Sequence, residues 1–286
     1  MIVALVTARV AREHDDDLVP LAEALRARAA DVEIHDWDDA AVDWGSIDLA
    51  VIRSTWDYTN RRDAFLTWAD EVAAVTRLEN PAAVLRWNTD KRYLRDLEQA
   101  GVPTVPTLFV EPGERPTLPP IEVVVKPSVS AGARDTARYR PSERAEARAH
   151  TEALLAEGRT VMIQPYLDAV DDHGETALVH VGGVFSHAFR KGPILAPGSV
   201  FVDGLYVEER ISEREPTDAE REVAQSALDA ARRLTGEDLL YARVDLLPGP
   251  DGSPVVLELE LTEPSLFHAI SPGSVERFAD AITARC

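Results

Sequence analysis

Three lysines are the first residues in this chain whose type and placement suggest chemistry. Lys91, Lys126 and Lys191 are the only lysines among its 30 basic residues, so arginine serves wherever a general surface cation is enough. Lysine differs from arginine in carrying a compact, strongly hydrated point charge. Such a charge is commonly used to bind the phosphates of a nucleotide. We therefore take the three lysines as candidates for a phosphate site, and the alternative is an accident of composition.

Acidic residues are concentrated in a predicted hairpin near the C-terminus. Two alternating apolar runs flank Asp251-Gly252, a strong hairpin signal. Pairing centred on that turn places Asp245 opposite Glu258 and Arg243 opposite Glu260, all on one face of the hairpin. The other face is predicted to consist of Val244, Leu246, Leu257, Leu259 and Leu261. Three carboxylates beside one arginine favour a hard divalent cation such as Mg²⁺. If the three carboxylates bind Mg²⁺, we expect that removing the charge of one of them does not destabilise the metal-free protein. The alternative is a solvated acidic face.

The N-terminal region is predicted to be an α/β unit. Continuous apolar strands at 2–7, 32–37 and 48–53 alternate with helices, which is typical of a parallel sheet covered on both faces. Ligands of such sheets bind at the carboxyl ends of the strands. The segment 53–58 follows the third strand and is rich in polar and aromatic side chains. It is therefore predicted to face a ligand.

Further elements follow along the chain. Asn88 is predicted to cap a helix over 89–100, and the loop 128–133 after Lys126 is rich in small residues. Strands are predicted at 107–110, 122–126, 160–164, 175–181 and 184–190, and helices at 142–156, 217–234 and 274–284.

Composition excludes several classes of protein. The net charge of −20 argues against binding to nucleic acid or to anionic membranes. No apolar run approaches the roughly 20 residues of a membrane-spanning helix, and the first residues lack a basic segment typical of a signal peptide. The chain has a single cysteine, Cys286, which argues against an intrachain disulfide. Its histidines do not have the spacing of paired zinc ligands, which argues against a zinc site. We predict a cytoplasmic protein that acts on a small molecule.

Taken in chain order, these motifs resemble those of the ATP-grasp ligases. The shared motifs are Lys126-Pro127 at a strand end, the small-residue loop 128–133, Gln164-Pro165-Tyr166-Leu167, Arg243-Val244-Asp245 and Leu257-Glu258-Leu259-Glu260. The resemblance covers nearly the whole chain and implies an α/β ATP-grasp fold. A parallel-sheet N-terminal domain (1–85) would be followed by two α+β subdomains (86–168 and 169–286) that sandwich ATP, the second carrying a metal site.

The resemblance also implies roles for individual residues. Nucleotide contacts are expected from Lys91, Lys126, Ser128, Ser130, Gly132, Gln164, Pro165, Tyr166, Leu167 and Glu175. Catalytic contacts are expected from Arg243, Lys191 and Arg190, and Mg²⁺ ligands are expected to be Asp245, Glu258 and Glu260. The chain departs from the family at Glu260, where asparagine is common, and the extra charge is expected to raise metal affinity.

Three segments, 53–58, 86–91 and 260–267, look most like a branch that includes an O-ureido-serine cyclo-ligase. The branch implies that ATP phosphorylates a carboxylate-like or ureido group and that an amine then forms a C–N bond, in the same molecule or in a second one. Substrate contacts are expected from Arg53, Ser54, Thr55, Trp56, Glu263 and Ser265.

Two other functions remain open at this stage. One is a nucleotide-binding regulatory protein without turnover, which would not need a full set of metal ligands. The other is a sugar- or amino-acid-binding module, which leaves two of the lysines and the acidic hairpin unexplained. Homodimers are common in the resembled family, so a homodimer is expected.

Overall fold

Continuous apolar strands form the parallel sheet expected near the N-terminus. The structure is a computed structural model that describes residues 1–195, 200–201 and 210–285. The strands are β1 (Ile2–Thr7), β2 (Asp31–Asp36), β3 (Leu49–Ser54) and β4 (Arg77–Glu79), in the order β2-β1-β3-β4 and parallel throughout. The helices α1 (Leu18–Arg26) and α2 (Arg62–Ala73) pack against it. The predicted α/β unit is confirmed.

A second, antiparallel sheet occupies the middle of the chain. It contains β5 (Leu108–Val110), β6 (Val123–Pro127), β7 (Thr136–Tyr139), β8 (Val161–Pro165) and β11 (Val200–Phe201), in the order β11-β7-β6-β8-β5. Two short helices precede it, α3 (Ala82–Asn88) and α4 (Tyr93–Gln99), and α5 (Arg144–Ala156) covers one face. The predicted strands and helix are present here, whereas β7 was not predicted.

Asn88 does not cap a helix, contrary to the sequence prediction. It is the last residue of α3, and α4 begins only at Tyr93. Its side chain instead donates to the Leu259 carbonyl at 2.7 Å and accepts from the Leu261 N–H at 2.8 Å. The polar side chain that looked like a local cap therefore satisfies backbone groups about 170 residues away.

The third sheet is also antiparallel. Its strands are β9 (Glu175–Val181), β10 (Val184–Lys191), β12 (Ile211–Glu213), β13 (Tyr241–Pro248) and β14 (Pro254–Glu260), in the order β12-β10-β9-β13-β14. Three more helices are α6 (Ala169–His173), α7 (Asp218–Thr235) and α8 (Ser274–Thr283). A capping box of Thr217 and Glu220 opens α7, at the start of the helix predicted for 217–234. None of the helices in the described ranges has the length and apolar character that a bilayer-spanning helix needs.

Register in the C-terminal hairpin agrees with the prediction where the charged residues lie. Arg243 pairs with Glu260 and Asp245 with Glu258, as spacing indicates. A bulge after Asp245 then shifts the pairing by one residue. As a result Val256, and not the predicted Leu257, lies in the hydrophobic core. Leu257 lines a cleft instead.

The N-terminal sheet and the third sheet share one hydrophobic core. Leu21 and Leu25 of α1 belong to the same buried cluster as Val179 of β9 and Phe278 of α8. The burial of these side chains stabilises each sheet against the other. The cleft that contains the predicted site residues is therefore bordered by two sheets that are fixed relative to each other, and by the middle sheet.

Candidate active site

Side chains from the middle and third sheets, and from the loops that follow β1 and β3 of the N-terminal sheet, line a single cleft of about 480 Å³. Of the predicted site residues, those that line it are Trp56, Lys91, Lys126, Ser130, Gly132, Gln164, Pro165, Tyr166, Leu167, Glu175, Lys191, Arg243, Glu258, Glu260, Glu263 and Ser265. The strands β6, β8, β9, β10, β13 and β14 and the loops after them supply most of these positions. The structure thus brings most of the predicted residues together.

The three lysines lie in this cleft, but their surroundings differ. Lys91 lies 3.1 Å from the Glu258 carboxylate, and Lys191 lies 2.9 Å from Asp245 and 3.0 Å from Glu175. Lys126 forms no salt bridge with any residue in the described ranges. Burial lowers the pKa of Lys126, and the charge of Glu258 opposes that shift in part. Lys126 is therefore the lysine whose charge is most available to a ligand.

Lys91 also holds the small-residue loop 128–133. Its backbone N–H donates to the Ser128 carbonyl at 2.8 Å, and its ammonium group donates to Ser130. Ser128 itself is buried and does not line the cleft. One lysine thus joins the loop to the Glu258 carboxylate of β14.

Asp245 is completely buried between two cations and does not line the cleft. Arg243 donates to both of its carboxylate oxygens, at 2.8 and 2.9 Å, and Lys191 donates to it at 2.9 Å. Burial alone would raise the pKa of Asp245, but Arg243 and Lys191 outweigh that effect and lower it to about 2. Asp245 is ionised at neutral pH and fixes the position of the Arg243 guanidinium.

Glu258 and Glu260 lie two residues apart on β14, yet their ionisation differs. Burial would raise the pKa of Glu258, but Lys91 and then Lys126 lower it below its usual value. Burial raises the pKa of Glu260 to about 8, because Arg243 opposes the shift only in part while Glu258 and Asp245 add to it. Glu258 is therefore ionised at neutral pH, whereas burial favours the protonated form of Glu260.

No group of three His, Cys, Asp or Glu side chains in the described ranges is arranged to hold a metal ion. The three predicted ligands are paired with protein cations: Asp245 with Arg243 and Lys191, Glu258 with Lys91, and Glu260 with Arg243. In the metal-free protein these salt bridges neutralise part of the charge for which residue spacing alone predicts Mg²⁺.

Aromatic and amide side chains lie at the end of the cleft that is formed by β6 and β8. The guanidinium of Arg138 lies 3.4 Å from the centre of the Tyr166 ring, whose hydroxyl donates to Asp171 at 2.6 Å. Gln164 donates to Thr107 at 2.8 Å. These contacts fix the segment 164–167, so that its backbone can present donors and acceptors to a flat ligand.

Residues at the end of β3 and directly after it are placed differently from the prediction. Arg53 is only 1% exposed and points into the interior, where it donates to the Pro264 carbonyl at 3.0 Å and lies over the Phe278 ring. Ser54 and Thr55 are also fully buried and outside the cleft. Trp56 does line the cleft. Arg53 thus lies outside the cleft lining, where one nitrogen of its guanidinium holds a neighbouring loop, and its role toward a substrate carboxylate stays a prediction.

Arg190 also lies outside the cleft lining. Its guanidinium donates to the carbonyls of His173 at 2.7 Å and Asp172 at 3.0 Å. Strand alternation explains the difference from Lys191, since adjacent side chains on β10 point to opposite faces. Of the two predicted catalytic residues at this strand end, the structure places only Lys191 in the cleft.

The loop 262–268, called the anchored loop below, follows β14 and is held almost entirely through its backbone. Five consecutive carbonyls accept hydrogen bonds from side chains: Tyr241 to Thr262, Trp56 to Glu263, Arg53 to Pro264, Arg243 to Ser265 and His187 to Leu266. The Asp17 carboxylate accepts from the N–H groups of Leu266, Phe267 and His268, each at 2.8 Å. The side chains of Glu263 and Ser265 remain in the cleft.

Residues 14–17, after β1, line the cleft and were not predicted from the sequence. Their position beyond the carboxyl end of a parallel strand was a usable signal. Tyr58 also lines the cleft, and it belongs to the segment 53–58 that was predicted to face a ligand.

Comparison with known proteins identifies the family. A family model described as the N-terminal domain of D-cycloserine synthetase DcsG matches residues 3–80. The cycloserine biosynthesis protein DcsG of Streptomyces lavendulae is 42% identical over 299 residues, which cover 99% of this chain and 98% of the relative. The chain belongs to the DcsG family.

Solved structures agree with the DcsG assignment and give the fold. The crystal structure of D-cycloserine synthetase DcsG matches with a TM-score of 0.91 at 41% identity, covering 100% of this chain and 99% of that one. D-alanine–D-alanine ligase of Bacillus anthracis, complexed with ATP, matches with a TM-score of 0.72 at 16% identity, covering 99% of this chain and 96% of that one. This DcsG-family chain has the predicted ATP-grasp fold and is an ATP-dependent ligase. A regulatory protein without turnover and a simple binding module are set aside.

Proposed function

We propose that the enzyme transfers the γ-phosphoryl group of ATP to a carboxylate of a small amino-acid-like substrate and then forms a C–N bond within the same molecule. The expected substrate is an O-ureido-serine and the expected product a ring of the cycloserine type. The names of the relatives support this substrate class. The observation that carries the proposal is a single cleft that combines three lysines with the carboxylates of β14.

ATP binding is assigned to the side of the cleft formed by β6, β8 and β9. Lys126 and Lys91 would contact phosphate oxygens, with the backbone of loop 128–133 above them. The segment 164–167 would contact the adenine, and Glu175 the ribose hydroxyls, after exchange of its salt bridge with Lys191. Charge-assisted contacts of this kind are stronger than neutral hydrogen bonds.

Mg²⁺ would be held by the carboxylates of the hairpin. Asp245, Glu258 and Glu260 supply the oxygens that this ion prefers, and two of them, Glu258 and Glu260, line the cleft. The salt bridges that pair the three carboxylates with protein cations would have to exchange for the ion. Burial, and to a smaller extent Glu258 and Asp245, raise the pKa of Glu260, and a hard cation would favour its ionised form. When bound, Mg²⁺ would neutralise charge on the phosphates and help to orient them.

The protein's own contribution is positioning and neutralisation of charge, as phosphoryl transfer requires. A substrate carboxylate oxygen attacks the γ-phosphorus, which gives an acyl phosphate and ADP. The nitrogen bonded to the side-chain oxygen of the same molecule then attacks the carbonyl carbon and loses its proton, the C–O bond to phosphate breaks, and inorganic phosphate leaves. The ring nitrogen still carries the carbamoyl group of the ureido unit, and a water molecule must release that group as carbon dioxide and ammonia to give a ring of the cycloserine type. Arg243, held by Asp245, and Lys191 would neutralise the transferred phosphoryl group and the oxyanion.

Several further expectations remain proposals. We retain the division into domains at 1–85, 86–168 and 169–286, because each contains most strands of one sheet. We also retain a cytoplasmic location and a homodimer. Ring closure, as opposed to joining of two molecules, is the expectation that most needs an experiment.

The decisive experiment measures phosphate release from Mg-ATP across a panel of amino acids and ureido-amino acids, with mass spectrometry of the products. We expect release to depend on an O-ureido-serine, and a product that contains one substrate molecule. Substrate labelled with ¹⁸O in its carboxylate should transfer one label to phosphate. Phosphate without label, or a product joining two molecules, would contradict the acyl phosphate or the ring closure respectively. Glu258→Gln, which should abolish release, controls for contaminating ATPases.

A further inference from the structure

Glu263 differs from the other glutamates that line the cleft. Glu175, Glu258 and Glu260 each form a salt bridge with a lysine or arginine. Glu263 forms none with any residue in the described ranges, although its side chain is half-buried in the same cleft. A buried carboxylate without a cationic partner is unfavourable, and such a group is usually neutralised by protonation or by a ligand.

Two neighbours define the surroundings of this carboxylate. The Tyr58 hydroxyl lies next to it and can donate to it. Lys91 acts on it only from a greater distance, because its ammonium group is held by Glu258 and Ser130. Burial raises the pKa of Glu263 to about 7, Lys91 and Tyr58 oppose this shift, and Glu258 adds to it. Lys91 therefore influences the Glu263 carboxylate, but no cation in the described ranges lies within salt-bridge distance of it.

The position of Glu263 is fixed by the anchored loop. Its own carbonyl accepts from the Trp56 indole at 3.0 Å, and the neighbouring Thr262 and Pro264 carbonyls accept from Tyr241 and Arg53. Hydrogen bonds to backbone groups on both sides leave the main chain little freedom. A site whose main chain is fixed before binding loses less conformational entropy when a ligand arrives.

The charges around Glu263 favour one class of ligand group. An anion is repelled by Glu263 and Glu258, whereas a protonated amine satisfies the Glu263 carboxylate. Glu263 also lies close enough to Lys91 for that charge to affect its pKa, so an amine bound there is near the proposed phosphate site. A molecule that carries an ammonium group close to its carboxylate, as an α-amino acid does, fits both.

We propose that the Glu263 carboxylate, with the Tyr58 hydroxyl beside it, binds the protonated amino group of the substrate and makes the enzyme selective for α-amino acids. This inference rests on the proposed function, since it names the group that one end of that cleft recognises. Asp16 is the rival, because it is an exposed carboxylate that lines the same cleft.

The test compares O-ureido-serine with its deamino analogue, 3-(ureidooxy)propanoic acid. ADP formation is measured with the wild type, Glu263→Gln and Asp16→Asn, and near-UV circular dichroism checks that each variant is folded. We expect Glu263→Gln to lower kcat/KM for O-ureido-serine by about 10- to 100-fold, as for loss of one charge-assisted contact. The value for the deamino analogue should change less than about threefold. Glu263→Asp, which keeps the charge, should recover part of the preference.

Three outcomes would overturn the inference. An equal loss on both compounds would mean that Glu263 acts on the reaction and not on the amino group. A selective loss in Asp16→Asn but not in Glu263→Gln would place the amino group at Asp16. No ADP formation by the wild type with O-ureido-serine would contradict the proposed function itself, and this inference with it.

Discussion

Replacing Glu258 and Glu260 separately by glutamine should give opposite effects on the stability of the metal-free protein. Glu258 lies 3.1 Å from Lys91, and the two side chains are only 24% and 10% exposed. A hydrogen-bonded contact between charged groups contributes about 1.5–3 kcal/mol, and partial exposure reduces that value. We therefore expect Glu258→Gln to lower the free energy of unfolding by about 1–2 kcal/mol at pH 7.

Glu260 should behave differently because its pKa is raised to about 8. A raised pKa means that the ionised carboxylate opposes folding, so its unfavourable effect is absent below the ordinary value of 4.5, grows as the pH rises from 4.5 to 8 and is constant above that. Glu260→Gln should thus make the protein more stable than the wild type at pH 7, by about 1–3 kcal/mol after allowance for solvent screening. The gain should be about 1 kcal/mol larger at pH 9, where the carboxylate is ionised in the folded protein as well.

Urea denaturation in EDTA without nucleotide, at pH 7 and pH 9, measures both effects. Glu222→Gln, an exposed residue of α7, controls for removal of a charge from this acidic protein. The reasoning is refuted if Glu258→Gln is as stable as the wild type at pH 7, or if Glu260→Gln loses stability at pH 9. The first result would instead support the prediction from residue spacing, that one of these charges can be removed without loss of stability in the metal-free protein.

Two further predictions concern the cleft and the anchored loop. Lys126→Ala should weaken ATP binding about tenfold or more, as loss of one charge-assisted contact implies, and unchanged affinity by calorimetry in a folded variant would remove Lys126 from the nucleotide site. Asp17→Asn leaves one carboxamide oxygen for three N–H groups and should lower the free energy of unfolding by about 2–4 kcal/mol. A change below about 0.5 kcal/mol in urea denaturation would mean that solvent replaces those contacts.

Local sequence patterns predicted the parts of the site that depend on strand alternation. The pairs Arg243–Glu260 and Asp245–Glu258 follow from an Asp-Gly turn and a period of two, and the structure contains both. The same argument failed at Leu257, because a bulge that no residue type signalled shifts the pairing between the charged pairs and the turn. Spacing determines which face a strand presents only while the ladder remains regular.

Contacts between distant residues could not be predicted in this way. Asn88 has a residue type and position that favour a helix cap, and Arg53 has those of a substrate contact. Both side chains instead hydrogen-bond to backbone groups around the β14 strand and the anchored loop, more than 160 positions away. Burial of those backbone groups creates the demand for a donor or acceptor, and only the assembled fold reveals it.

The anchored loop separates what holds the fold from what contacts the ligand. The hydrogen bonds that support this loop are made to its backbone carbonyl and N–H groups. Every residue type has both of these groups except proline, which lacks the N–H. Positions 263 and 265 can therefore exchange side chains without removing any of these bonds. Descendants of one ancestral enzyme could have acquired new substrates through single codon changes at these two positions. A library randomised at 263 and 265 alone is accordingly the smallest one in which to search for altered specificity.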